Sequence, residues 1–92
     1  MKLYQYKTKV ITKLLNYKPQ SEREEQLIDL LLTKVRNLRT MTLPNFLLTI
    51  HLALSEETSD KFKNLLKSLI PNEEEVNELL EERGNENENR NC

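Results

Sequence analysis

Apolar residues recur at helical spacing along almost the whole chain, and strand-like alternation is confined to a few residues near its start. Prolines at 19, 44 and 71 cut this pattern into helix-sized pieces, because the residue before a proline is pushed out of the helical region. The pattern predicts an all-α fold, a small bundle of five helices with the fifth one short. Residues 1–83 form the expected single helical domain, and 84–92 an expected disordered polar tail with no apolar residue before its end.

The first helix should cover about residues 2–16. Leu3, Tyr6, Val10, Ile11, Leu14 and Leu15 share one side of it, and Lys2, Lys9 and Lys13 gather on the other. Ser21 and Glu24 have the spacing of a capping box that opens the second helix. Glu22, Glu24 and Glu25 near its start, with Arg36 and Arg39 in its last turn, suit the helix dipole. Leu27, Ile28, Leu30, Leu31, Leu32, Val35 and Leu38 cover an arc of about 200°, wider than a usual stripe, which predicts a central position in the bundle. Residues 40–43 read as a short connection, and Pro44 as the first residue of a third helix ending at Leu54. Ser55 is the expected cap of the fourth helix, whose stripe is Phe62, Leu65, Leu66, Leu69 and Ile70. Asn72 and Glu75 repeat the capping-box spacing, and the fifth helix should run to about Arg83, stopped by Gly84.

Composition narrows the chemistry. Eighteen leucines against one alanine and no tryptophan describe a lean, leucine-built interior. The single glycine is too few for a phosphate-cradling loop or a dinucleotide fingerprint. One Cys and one His fall short of the common zinc sites, and no disulfide framework is possible, so neither metal nor cofactor is expected. His51 has Leu47, Leu48, Leu54 and Ser55 at helical-neighbour positions, without a carboxylate to orient it, so no catalytic residue and no enzyme is expected. The glutamates at 73, 74, 75, 78, 81 and 82 read as a solvated face, since ion sites need ligands converging from a turn or several elements. No apolar run exceeds three residues, so no membrane span is expected, and a cytoplasmic location follows. Charge is split: residues 1–40 carry nine Lys/Arg and four Asp/Glu, residues 41–92 five and eleven.

The third helix carries the functional expectation. Phe46, Ile50 and Ala53 share one side, yet Leu48 and Leu52 point the other way. A helix that is apolar all round is normally buried all round, which is hard to achieve within so short a chain. Leu48, His51 and Leu52 are therefore the expected partner interface of a non-enzymatic interaction or regulatory module. The partner would be a second copy in a homodimer, or a larger protein. Short chains rich in leucine and asparagine suit regulators encoded by viruses or mobile elements. The alternative is DNA binding. Residues 52–58 resemble the turn of a helix-turn-helix, and Lys2, Lys9, Lys13, Lys61, Lys63 and Lys67 would then contact nucleic-acid phosphates. Glu56, Glu57 and Asp60 count against it, since they would face those phosphates.

Overall fold

A computed structural model describes residues 2–80 of the chain. Four α-helices follow one another: α1 (Leu3–Asn16), α2 (Glu22–Arg36), α3 (Leu43–Leu54) and α4 (Asp60–Leu69). Residues 73–80 belong to a fifth helix, α5, and there is no strand among the described residues. A 3-10 turn, Thr40–Thr42, leads straight into α3, which therefore starts one residue before Pro44. The expected end of the fifth helix near Arg83, the polar tail 84–92 and Cys92 lie outside the described residues.

Local chemistry sets the boundaries. Ser21 caps α2, its hydroxyl accepting the Glu24 amide at 3.2 Å. Asn72 and Glu75 exchange both bonds of a capping box, at 3.2 and 2.8 Å. The cap of α4 corrects the sequence expectation: it is Ser59, which accepts the Phe62 amide at 3.2 Å. Ser55 instead closes α3, donating its hydroxyl back to the Leu52 carbonyl at 2.6 Å. Glu56 and Glu57 consequently sit in the loop between α3 and α4 rather than in a helical turn. Both serines are chemically fit to cap, and a bond from another part of the bundle distinguishes Ser59, whose amide donates to the Glu24 carboxylate. The α4 helix that follows buries Phe62, Leu66 and Leu69.

Contacts at the two ends show that the four helices run up and down in alternation. At one end Tyr17, just past α1, meets Glu24 of α2 and Ser59 ahead of α4. At the other, the Lys7 ammonium donates to the Arg36 carbonyl at 3.3 Å, and the Tyr6 hydroxyl donates to the Leu69 carbonyl at 2.6 Å. The main packing pairs are α1 with α2, α2 with α3, α3 with α4, and α4 with α1. This is a closed ring, so α2 is one wall of the bundle and not its centre. Its wide apolar arc is accommodated by leaving Leu30 exposed, while Leu38 is buried in the link that follows the helix.

The core is built from Tyr6, Val10, Leu14, Leu31, Val35, Phe46, Ile50, Phe62 and Leu66. Tyr6 meets Phe46 edge-on at 6.3 Å between ring centres, and Tyr17 packs on Phe62 at 5.6 Å. The α5 helix adds the fully buried Leu79. Leu15, placed on the apolar side of α1 by the sequence pattern, is exposed, because α1 buries a narrower stripe through Leu3, Tyr6, Val10 and Leu14.

Candidate functional site

The outer face of α3 collects what the sequence singled out. Leu48 is 55% and Leu52 60% exposed, with His51 exposed beside them. The opposite side of the same helix is closed: Leu43, Phe46, Ile50 and Ala53 are all buried. Leu47 and Leu54 pack on the core from the flanks. The helix holds no Asp, Glu, Lys or Arg, and His51 is its only ionisable side chain.

One member of this surface was missed by sequence reasoning. Met41, in the turn that feeds α3, is 70% exposed. Positions 41, 48 and 52 are separated by seven and four residues, the spacing of one helix face, so the signal was present. It was overlooked because residues 40–43 read as a plain connection, whereas the 3-10 turn carries the helical path backward by nearly a turn. Tyr4 and Leu15 expose a second apolar pair on α1, but the exposed Thr8 interrupts it.

The lysines of the alternative reading are less well gathered. On α1, Lys2, Lys9 and Lys13 lie on one flank, with Lys9 and Lys13 half-buried. On α4, helical spacing places Lys61 on one flank of the buried stripe and Lys63 with Lys67 on the other, so the three do not form one patch. The N-terminus of α4, which a helix-turn-helix would insert into a groove, is fastened to the bundle. The Ser59 amide donates to the Glu24 carboxylate at 3.1 Å, and Arg23 pairs with Glu56 across the same end at 2.8 Å.

Glu24 itself departs from its expected role. Its spacing from Ser21 predicts the return bond of a capping box, but its carboxylate turns inward and only 1% of the residue is exposed. It accepts the Tyr17 hydroxyl at 2.6 Å, the Gln20 amide at 3.1 Å and the Ser59 amide. Burial pushes this carboxyl up, but the Tyr17 hydroxyl and the Gln20 and Ser59 donors outweigh it and hold it at about 2. Burial, and then the bond to Glu24, push the Tyr17 phenol up. A buried carboxylate with this many donors and a depressed pKa is a poor general base, and its partners are structural. Burial and the nearby Glu75 charge likewise push up the Tyr6 phenol, so it stays a neutral donor to Leu69.

A second accessible feature lies at the end of the bundle where α2 stops and α3 begins. A depression of about 510 Å³ is lined by Lys7, Arg36, Asn37, Leu38, Arg39 and Thr42. It adjoins one of about 200 Å³ that shares Asn37, Leu38 and Thr42 and adds Lys34. No helix among the described residues is long and apolar enough to cross a membrane. No family model, curated protein or solved structure matches this chain, so the site is read from its own geometry.

Proposed function

We propose that this chain is a small, non-enzymatic interaction module whose contact surface is the outer face of α3. The observation that carries the reading is the exposure of Leu48 and Leu52 on a helix without a charged residue. Fully burying a leucine contributes about 1.5–3 kcal/mol, so covering these half-exposed side chains contributes about half of that for each. Exposed apolar groups in a row, with Met41 extending it, mark a surface that gains by being covered.

A second copy of the chain is the partner that the chemistry fits best. In a two-fold contact each face meets itself, so any charge on it would meet its like. This helix holds no Asp, Glu, Lys or Arg, so none of those charges meets its like there. The gain from three such residues per copy is of the order of the association cost, so the dimer should be weak and concentration-dependent. A larger protein with an apolar groove is the other occupant of the same face.

The test is a dilution series followed by amide NMR. Resonances of residues 41–55 should move together as the concentration falls. Shifts that remain constant from millimolar to micromolar protein would remove self-association. DNA binding by α3 and α4 through Lys2, Lys9, Lys13, Lys61, Lys63 and Lys67 stands behind this reading, since the lysines are divided among flanks and the start of α4 is tied to Glu24.

A further inference from the structure

The cationic depression between the end of α2 and the start of α3 has no role in the fold equal to its charge. Lys7 serves the helix end by donating to the Arg36 carbonyl. That bond and one or two cations in the last turn are enough to answer the dipole of a helix C-terminus. Yet four cations from three parts of the chain line the two adjoining hollows: Lys7 from α1, Lys34 and Arg36 from α2, and Arg39 from the link beyond it. No carboxylate is among the lining residues of either hollow. Like charges gathered without counter-charge repel one another, and an anion relieves that repulsion.

We propose that this depression binds the phosphodiester backbone of a nucleic acid. Its apolar lining, Leu38 and Phe46, is almost fully buried, so a visiting molecule meets charged and amide groups rather than an apolar pocket. Protein partners depend on apolar anchors in desolvated pockets, whereas phosphate binding draws its affinity from cations alone. Arg36 and Arg39 supply the planar forks that match phosphate oxygens, and Lys7 and Lys34 supply point charges. The contact reads charge and not sequence, because phosphates carry no sequence information. This inference is independent of self-association through α3 and uses none of the same residues.

The experiment is fluorescence anisotropy with a labelled 20-base-pair DNA duplex and a labelled 20-nucleotide single-stranded RNA. Binding should weaken about 100-fold between 50 and 200 mM salt if all four cations neutralise phosphates. The Arg36→Glu, Arg39→Glu variant, checked for helicity, should lose binding at least about tenfold, and Lys61→Glu, Lys67→Glu should leave it unchanged. If the glutamate variant fails to fold, Arg36→Gln, Arg39→Gln takes its place with the same expected loss. Whichever probe binds identifies the source of the backbone. No binding of either probe at 50 mM salt, or binding untouched by the arginine changes, overturns the proposal. So does equal competition by a polyglutamate peptide, which would assign the site to an acidic protein segment.

Discussion

Glu24 is the residue on which one end of the bundle depends, because one carboxylate holds the end of α1, the start of α2 and the cap of α4 together. Hydrogen bonds to a charged group contribute about 1.5–3 kcal/mol each. Glu24→Gln keeps the shape but removes the charge, and should destabilise the fold by about 2 kcal/mol in urea titration at pH 7. The sign of its pH dependence follows from its pKa. The folded value of about 2 lies below the ordinary 4.5, so the unfolded chain takes up the proton more readily. Stability from this group is present above pH 4.5 and is lost as pH falls toward 2. The Gln variant should show less loss than the wild type across that window. Equal loss in both would show that other carboxylates govern the acid response. Thr58 offers the opposite test. Its hydroxyl is enclosed without a hydrogen-bond partner, which costs about 1–3 kcal/mol. Thr58→Val should therefore raise the melting temperature, and a lower one would show that the hydroxyl is satisfied.

At the scale of helices, most of the architecture was legible. Pro19, Pro71, the Ser21 cap and the Asn72–Glu75 box place four starts and stops correctly, since each is settled within a few residues. Choices that depend on distant partners were not legible. Ser55 and Ser59 have similar local credentials, and what separates them is the reach of Glu24 to the Ser59 amide. Ser59→Ala should accordingly cost about 1 kcal/mol or more, and Ser55→Ala much less, by thermal melts. The inward turn of Glu24 was hidden for the same reason, because its Tyr17 and Ser59 partners arrive from other helices. The two faces of α3 were legible because period alone separates Phe46, Ile50 and Ala53 from Leu48 and Leu52. Met41 was lost only because a 3-10 turn is not visible in an apolar pattern.

Across the whole molecule, the charge split of the sequence has a structural counterpart in the cationic depression at the α2–α3 end. The sequence pattern reads Arg36 and Arg39 only as dipole partners, since only folding brings Lys7 beside Arg36. The lysines picked from the sequence remain spread over two helices. Closing a ring of four helices leaves each with an outer face, and that of α3 is the one without charge. We propose that this face is covered by another copy of the chain. Sedimentation velocity over a wide concentration range, on the wild type and on Leu48→Glu, Leu52→Glu, tests it most directly. The wild type should move from the 10.9 kDa chain toward twice that mass as concentration rises, and the variant should stay single and equally helical. A wild type that remains single at millimolar concentration, or a variant that unfolds, would rule out this dimer.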